Sequence, residues 1–187
     1  MTGDRKKRAV FFDRDGVIFA PVFKDGSRLA GGEKGLVRAP FSYAEFLEAG
    51  GITRDALPTI RALRKKGFLT ILVTNQPDVA YGNISRDEWG RIHAHAAALP
   101  FDDIYVCFHT RTDGCECKKP KPGMLFAAAK KWNIDLDASY FIGDTESDTL
   151  AAKAAGCASI LVGAWYNKNT TSDHRIHDLT AAAAFIL

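Results

Sequence analysis

The chain has 187 residues, of which 47% are hydrophobic and 25% are charged, and its formal net charge is only +3. This composition is typical of one globular domain with a full core. No segment approaches the roughly 18 continuous apolar residues of a membrane helix, and no apolar stretch near the N-terminus resembles a signal peptide. We therefore expect a single domain over residues 1–187, in the cytoplasm, where thiols stay reduced.

A basic cluster, Arg5–Arg8, precedes the first apolar run. Such clusters bind nucleic acid or act as targeting signals, but many are solvated termini. No basic stripe interleaved with aromatic residues follows this one. We therefore expect a solvated terminus on a monomer that has neither a nucleic-acid partner nor a membrane partner.

Short apolar runs alternate with longer helical patterns along the rest of the chain. The predicted strands are Ala9–Phe12, Phe68–Val73, Ile104–Cys107, Tyr140–Ile142 and Ala158–Val162. The predicted helices are Thr53–Lys66, Ser85–Ala98 with a capping box at Ser85 and Glu88, Pro122–Trp132, Thr145–Ala155 and Asp178–Leu187. This alternation predicts an α/β fold with a doubly wound, Rossmann-like parallel sheet and helices on both faces.

One long insertion, residues 20–51, separates the first predicted strand from the first long helix. It is rich in glycine and carries a short helix signal at Ser42–Glu45. Between Ala20 and Pro40 its cations outnumber its carboxylates, the charged residues being Lys24, Arg28, Lys34 and Arg38 against Asp25 and Glu33. Long insertions in compact domains are usually functional or mobile. We expect this one to hang over the site and to give its mouth a positive charge.

Polar residues come directly after three of the predicted strands. They are Asp13 and Asp15, then Thr74, Asn75 and Gln76, then Asp144 and Asp148. In a parallel sheet all these positions reach the carboxyl edge, where such folds bind ligands. Converging carboxylates suit Mg²⁺, which prefers oxygen ligands, and a carboxylate can also be a nucleophile toward phosphorus.

The cysteines concentrate in one loop, residues 107–117, which reads C-x-H-x5-C-x-C. Cys107, His109, Cys115 and Cys117 have the ligand types of a closed tetrahedral zinc site. Reduced thiols clustered in this way indicate a metal more often than a disulfide. We expect a structural Zn²⁺ that folds a loop too polar to fold by burial.

Four stretches, VFFDRDGV, LVTNQ, KKPKPG and FIGDTESD, resemble in order and spacing the motifs of the haloacid dehalogenase superfamily of phosphotransferases. The resemblance implies that Asp13 is the nucleophile and that Asp15 is the general acid and base. It also implies that Thr74 and Lys119 bind the phosphoryl group.

The acidic fourth motif completes the implied magnesium site. Its ligands are expected to be Asp13, Asp15, Asp144 and Asp148. Asn75 and Gln76 follow Thr74 in the second motif, and the zinc loop carries Lys118 beside Lys119. We therefore expect Asn75, Gln76 and Lys118 to line the substrate or phosphate site as well.

The Cys/His loop is similar to one in a subgroup of this superfamily. That subgroup includes D-glycero-D-manno-heptose 1,7-bisphosphate 7-phosphatases and histidinol-phosphate phosphatases, and it lacks a large cap domain. The chain departs from the heptose enzymes at Thr145, where they carry Lys, and at Lys118, where Arg is more frequent. Both departures bear on the choice of substrate more than on the chemistry.

The resemblance implies a magnesium-dependent phosphatase acting on a sugar phosphomonoester through an aspartyl-phosphate. The first expected substrate is heptose 1,7-bisphosphate, hydrolysed at its 7-phosphate, and the alternative within the class is histidinol phosphate. A non-catalytic zinc-ribbon module that binds nucleic acid or protein is the alternative from another class. Such a module has no need of Asp13, Asp15 and Asp144 together, so phosphate release would exclude it.

Overall fold

A parallel sheet of six strands lies at the centre of the computed structural model, which describes residues 5–25, 36–37 and 39–186. Its strands are β1 (Ala9–Phe12), β4 (Leu69–Asn75), β5 (Asp103–Cys107), β6 (Tyr140–Gly143), β7 (Ala158–Val162) and β8 (His174–Ile176). They are ordered β5-β4-β1-β6-β7-β8, and each pair of neighbours is parallel. The strand β1 therefore lies between β4 and β6, at the middle of the sheet.

Helices cover both faces of this sheet. They are α1 (Tyr43–Glu48), α2 (Ala56–Lys65), α3 (Asp78–Tyr81), α4 (Arg86–Ala97), α5 (Gly123–Trp132), α6 (Glu146–Ala155) and α7 (Leu179–Ile186). Among the described residues, no helix is long and apolar enough to cross a membrane. The predicted doubly wound α/β fold is confirmed.

Alternation along β1 explains the two layers of the core. Val10 and Phe12 pack in the cluster that contains α2, α4 and α7 residues, whereas Ala9 and Phe11 pack in the cluster that contains α5 and α6 residues. All four side chains are fully buried. Successive side chains of a strand point to opposite faces, so a strand buried on both sides appears in the sequence as a continuous apolar run.

Several element ends differ from the predictions. The helix α2 begins at Ala56 rather than Thr53, and β4 continues to Asn75, beyond the predicted end at Val73. The predicted capping box at Ser85 is only half correct, because Glu88 accepts from the Tyr43 N–H instead of returning to the Ser85 N–H. The strand β8 was not predicted, since three residues with an exposed centre make too short an apolar run.

The described ends of the insertion form a small antiparallel pair, β2 (Lys24–Asp25) with β3 (Leu36–Val37). The ammonium group of Lys24 lies 2.5 Å from a carboxylate oxygen of Glu45 in α1. Lys24 therefore does not supply the unbalanced positive charge expected of the insertion. The other three cations of that expectation lie outside the described residues; they are Arg28, Lys34 and Arg38.

Candidate active site

Three adjacent strands, β4, β1 and β6, deliver polar residues to the same edge of the sheet. Asp13 follows the last residue of β1, Asn75 ends β4, and Asp144 follows β6. Parallel strands place their carboxyl ends together, so the expected convergence of these positions is present. The site therefore lies at the carboxyl edge of the three central strands.

A buried lysine links two of the carboxylates. The Lys119 ammonium lies 2.7 Å from Asp13 Oδ1 and 2.6 Å from Asp148 Oδ1, and it also donates to the Val73 carbonyl oxygen at 3.3 Å. Only 4% of Lys119 is exposed. A buried ammonium is stable only when it is paired and hydrogen-bonded, and here three oxygens satisfy it.

Burial and pairing pull the ionisation of this group of residues in opposite directions. Burial raises the pKa of Asp13 to about 7, the neighbouring Lys119 opposes that rise, and Asp148 and Asp144 add to it. Burial alone would lower the pKa of Lys119, but Asp13 and Asp148 raise it, so the ammonium stays charged. A cation bound among the carboxylates would favour the ionised form of Asp13.

Three carboxylates have the arrangement of a hard-cation site. Asp13, Asp144 and Asp148 each offer an oxygen, and these oxygens all lie within 4.8 Å of one another. Gly16 has φ +89°, and a Cβ there would stand 2.2 Å from Asp144 Oδ2, so glycine is required for the loop to approach so closely. The donor set and its spacing fit Mg²⁺, whose remaining positions are usually filled by water and phosphate.

Asp148 is already engaged by the protein. Its Oδ2 accepts from the Thr145 N–H at 3.0 Å and from the Thr145 hydroxyl at 2.5 Å, forming a capping box at the start of α6. Its Oδ1 accepts from Lys119. Asp148 therefore holds the helix and the lysine in place, in addition to any contact with the cation.

The Asp15 side chain does not belong to the three-carboxylate group, and its expected part in the magnesium site stays a prediction. Its side chain contacts the Arg14 guanidinium at 3.0 Å and accepts from Gln76 Nε2 at 2.7 Å, away from the three-carboxylate group. The strand β1 ends at Phe12, so the side-chain alternation of the strand does not continue to Asp15. Asp15 thus occupies a polar site of its own beside the cation site.

Gln76 is the centre of that second polar site. Its Nε2 group donates to Asp15 Oδ2 at 2.7 Å and to Thr74 Oγ1 at 3.0 Å. Its Oε1 accepts from Arg14 Nη2 at 2.6 Å and from Trp89 Nε1 at 3.1 Å. These four bonds use the full capacity of a side-chain amide, so Gln76 positions Asp15 and Thr74, and its expected contact with phosphate stays a prediction.

The other two expected phosphate-site residues also have protein partners. The Asn75 side chain donates to the Lys119 carbonyl oxygen and accepts from the Lys119 N–H, each at 3.0 Å, so it fixes the backbone of the buried lysine. The Lys118 ammonium donates to the His109 carbonyl oxygen at 3.3 Å. Asn75 therefore acts on Lys119, and the contact expected between Lys118 and substrate stays a prediction.

The Cys/His loop brings its four predicted ligands together. Cys107 Sγ lies 3.2 Å from Cys117 Sγ and 3.8 Å from Cys115 Sγ, while His109 Nδ1 lies 3.2 Å from Cys117 Sγ. In a tetrahedral zinc site with Zn–S bonds of about 2.3 Å, sulfur atoms are about 3.8 Å apart. The donor set fits one closed zinc site, which would take Nδ1 from His109. The Cys107–Cys115 distance matches this spacing, and the Cys107–Cys117 distance is shorter.

The thiols of this loop need a cation to ionise together. Burial and the neighbouring thiols of Cys107 and Cys115 raise the pKa of Cys117 to about 12. Burial also raises the pKa of Cys107. A bound divalent cation would stabilise the thiolates and release their protons, and this coupling ties metal binding to the folding of the loop.

Sequence reasoning missed three residues that touch the site. Arg14 is 1% exposed and lies beneath Asp15. Tyr166, in the loop after β7, donates its hydroxyl to Asp144 Oδ2 at 2.6 Å, and Asn167 donates to the Asp144 carbonyl oxygen at 2.8 Å. One signal was available, because the loop after β7 reaches the same carboxyl edge as Asp13 and Asp144.

The basic cluster lies at the opposite edge of the sheet. Arg5–Arg8 precede the first residue of β1, and with Lys66 and Gly67 they line a shallow cavity of about 390 Å³. Their backbone therefore enters the sheet at its amino edge. These cations are far from the carboxylates in the fold and do not form part of the candidate active site.

Comparisons with known proteins agree with this geometry. The model of the haloacid dehalogenase-like hydrolase family matches residues 28–156. The chain is 32% identical over 161 residues to the D-glycero-beta-D-manno-heptose-1,7-bisphosphate 7-phosphatase of Pasteurella multocida, covering 80% of this chain and 77% of that one. It is 27% identical over 164 residues to the histidine biosynthesis bifunctional protein HisB of Campylobacter jejuni subsp. doylei, covering 84% of this chain and 42% of that protein.

A solved structure extends the likeness over nearly the whole chain. The D,D-heptose 1,7-bisphosphate phosphatase of B. bronchiseptica, complexed with magnesium and phosphate, superposes with a TM-score of 0.74. The two chains are 27% identical, and the match covers 96% of this chain and 97% of the other. The fold is therefore shared with a phosphatase whose structure was solved in complex with magnesium and phosphate.

Proposed function

The chain belongs to the haloacid dehalogenase-like hydrolase family, and we propose that it is a magnesium-dependent phosphatase of a sugar phosphomonoester. The proposed substrate is D-glycero-D-manno-heptose 1,7-bisphosphate, hydrolysed at its 7-phosphate. Relatives at 32% and 34% identity that bear this name support the choice. The single observation that carries the proposal is the buried group of Asp13, Lys119, Asp144 and Asp148 at the carboxyl edge.

The chemistry divides the reaction into two displacements on phosphorus. In the first, an Asp13 carboxylate oxygen attacks phosphorus, the bond from phosphorus to the sugar oxygen breaks, and Asp15 gives its proton to that oxygen. In the second, Asp15 takes a proton from water, the water oxygen attacks phosphorus, and the bond to Asp13 breaks. Each step has a lower barrier than direct hydrolysis, which is extremely slow.

Charge stabilisation is the largest contribution expected from the protein. The Lys119 ammonium lies against the nucleophile and would neutralise the oxygens of the transferring group. Mg²⁺, held by Asp13 and Asp144 with Asp148 beside them, supplies further positive charge there when it is bound. Gln76 Nε2 donates to Thr74 Oγ1 and so orients that hydroxyl near the end of β4, where we propose that it binds the phosphoryl group.

Asp15 fits the proposed role of proton carrier because it is separate from the cation site. The guanidinium of Arg14 and the amide of Gln76 hold its carboxylate, and only 13% of the side chain is exposed. A group that must gain and lose a proton in each cycle needs a fixed position near the leaving oxygen. The fixed Asp15 carboxylate, outside the three-carboxylate group, supports this proposed role.

We further propose that Cys107, His109, Cys115 and Cys117 hold one structural Zn²⁺. The four donor atoms lie within 4.8 Å of one another, which supports a closed site. Metal analysis of the purified protein should find about one zinc per chain, as a four-ligand site of this kind requires. A protein free of zinc, with Cys115→Ser equally stable and active, would overturn this part of the proposal.

Phosphate release from a panel of phosphomonoesters, with Mg²⁺ present, tests the proposed activity. Heptose 1,7-bisphosphate should have the highest kcat/KM, and phosphorus NMR of the product should show that the 1-phosphate remains. Preference for histidinol phosphate would overturn the substrate and favour the alternative, which the likeness to HisB keeps in the panel. No release from any phosphomonoester would overturn the proposed enzyme class and favour a binding module.

A further inference from the structure

Three aromatic rings meet beside the candidate active site. Phe23 lies 5.6 Å from the Trp165 ring and 5.7 Å from the Tyr166 ring, measured between centroids, and Trp165 lies 5.6 Å from Tyr166. The rings come from two separate segments, the chain after β1 and the loop after β7. Such contacts stabilise rings in fixed relative orientations, so the three form one defined surface, here called the aromatic wall.

The aromatic wall is attached directly to the cation site. The Tyr166 hydroxyl donates to Asp144 Oδ2 at 2.6 Å. The next residue, Asn167, donates to the Asp144 carbonyl oxygen at 2.8 Å and to the Val162 carbonyl oxygen at 2.9 Å. In turn Arg175 donates to Asn167 Oδ1 at 3.0 Å. The loop that carries Trp165 and Tyr166 is therefore fixed relative to Asp144.

Two of the rings are exposed to water. Trp165 is 64% exposed and Phe23 is 44% exposed, although both contact a residue that touches the active site. Exposed large apolar surface beside a polar site is typical of a ligand-binding surface. Aromatic rings at such surfaces bind flat apolar faces and lose little conformational entropy when they do so.

We propose that the aromatic wall of Phe23, Trp165 and Tyr166 is a subsite that packs against the apolar C–H face of the substrate's sugar ring. The inference rests on the proposed phosphatase function and adds how the leaving group is held. A phosphoryl group placed at Asp13 leaves the attached carbon skeleton at the mouth of the crevice, where Tyr166 reaches Asp144.

The charge of the wall also restricts which part of the substrate it holds. The face of an aromatic ring carries partial negative charge, which disfavours an anion. A second phosphate on the same substrate would therefore lie away from these rings. The wall thus selects for a ring-shaped leaving group, and it contributes to binding equally in the ground state and in the transition state.

Kinetics of Trp165→Ala and Phe23→Ala on two substrates test the subsite. On a cyclic sugar phosphate KM should rise about tenfold with kcat nearly unchanged, which corresponds to about 1.4 kcal/mol. The KM for acyclic glycerol phosphate should stay nearly unchanged, because that substrate has no ring to pack. Trp165→Phe should restore most of the affinity, since it keeps an aromatic face.

The matched control is Phe185→Ala. Phe185 is 46% exposed, close to the 44% of Phe23, but it packs against Tyr140 and His174 at the starts of β6 and β8, on the opposite edge of the sheet. This variant should keep the kinetics of the wild type on both substrates. Thermal unfolding of all variants shows whether any change in kinetics comes from a loss of fold.

Equilibrium binding separates the subsite from the proposed activity. Calorimetric titration of a cyclic sugar phosphate into Asp13→Asn, with Mg²⁺, should show about tenfold weaker binding when Trp165→Ala is added. Equal losses on cyclic and acyclic substrates, or unchanged binding in the double variant, would overturn the subsite. A loss of affinity seen only with an imidazole-bearing phosphate would overturn the sugar-ring assignment and indicate that the wall holds an aromatic leaving group instead. Absence of all phosphate release would overturn the phosphatase function, while the titration would still decide the subsite.

Discussion

The crevice and the Cys/His loop are adjacent in the fold, but they hold their polar groups by different means. In the crevice Lys119 is 4% exposed and is neutralised by Asp13 and Asp148, on top of a fully buried strand. In the loop His109 is exposed, and Cys115 and Cys117 are only partly buried. The crevice is thus ordered by the sheet beneath it, whereas the loop depends on its four-ligand cluster.

Lys119 is the point at which these two regions meet. It follows the last cluster residue, Cys117, by two positions, and its backbone is paired on both sides with the Asn75 side chain at the end of β4. Two independent restraints therefore position one buried ammonium. We therefore expect catalysis to be more sensitive to the loss of contacts made by the sheet than to the loss of the metal in the loop.

Asp13→Asn should abolish the chemistry in the crevice and leave the structure of the loop unchanged. Turnover should fall by roughly a thousandfold or more, because an amide cannot form the covalent bond to phosphorus. Phosphate release with Mg²⁺ measures the loss, and zinc content shows that the loop still binds its metal. Residual turnover within tenfold of the wild type would exclude Asp13 as the nucleophile.

Lys119→Met should show how strongly the crevice depends on its buried cation. The variant keeps the length of the side chain but leaves the buried carboxylates of Asp13 and Asp148 without their cation, so the free energy of unfolding should fall by about 3–5 kcal/mol. Urea unfolding without Mg²⁺ measures this change. Addition of Mg²⁺ should recover part of it by supplying positive charge.

The control for Lys119 is Lys121→Met, two residues further along the chain. Lys121 pairs with Glu116 at 2.8 Å, but both side chains are exposed, so water already screens the pair. The midpoint of urea unfolding of Lys121→Met should therefore match that of the wild type. Equal midpoints for the two Met variants would show that the buried pairing does not stabilise the crevice.

Zinc removal should loosen the loop without unfolding the sheet. Amide hydrogen exchange should rise over residues 107–117, while the exchange of the strands β1, β4 and β6 stays slow, because one face of these strands packs in a core cluster that contains no residue of the loop. Turnover should fall about tenfold as Lys119 loses one of its two restraints. Added zinc should restore both the slow hydrogen exchange of the loop and the turnover.

Asn75→Ala in the zinc-loaded protein provides the matching experiment on the other restraint. It removes both hydrogen bonds to the Lys119 backbone, so its turnover should fall at least as far as that of the zinc-free protein. A larger effect of zinc removal would reverse the order proposed for the two regions. Unfolding of the whole protein upon chelation would show that the sheet also depends on the loop.

Gln76→Ala should have the smallest effect, since it acts only on the position of Asp15 and Thr74. A neutral hydrogen bond contributes about 1 kcal/mol, so kcat should fall about fivefold with KM nearly unchanged. Trp89→Phe, which removes only the donor to Gln76 Oε1, should lower kcat by a smaller factor. A rise in KM without a change in kcat would instead indicate that Gln76 contacts substrate.

Much of this architecture could be predicted from local patterns. The continuous apolar run of β1 predicted a strand buried on both faces, and the residues that follow strands predicted the edge at which Asp13 and Asp144 meet. The spacing of Cys107, His109, Cys115 and Cys117 predicted one cluster. These features were predictable because each depends on spacing within one element or one loop, and the parallel sheet then aligns the ends of its strands.

The partners of individual polar side chains could not be predicted in the same way. Asn75 and Gln76 were expected to bind phosphate, but each meets residues from other segments, at Lys119 and at Arg14 and Trp89. Likewise Tyr166 reaches Asp144 from a loop that follows a different strand. Residue types and spacing along the chain define the chemical groups available at the carboxyl edge. The packing of distant segments determines which of those groups satisfy one another and which remain for substrate, because hydrogen bonds depend on distances of a few tenths of an ångström that no local pattern encodes.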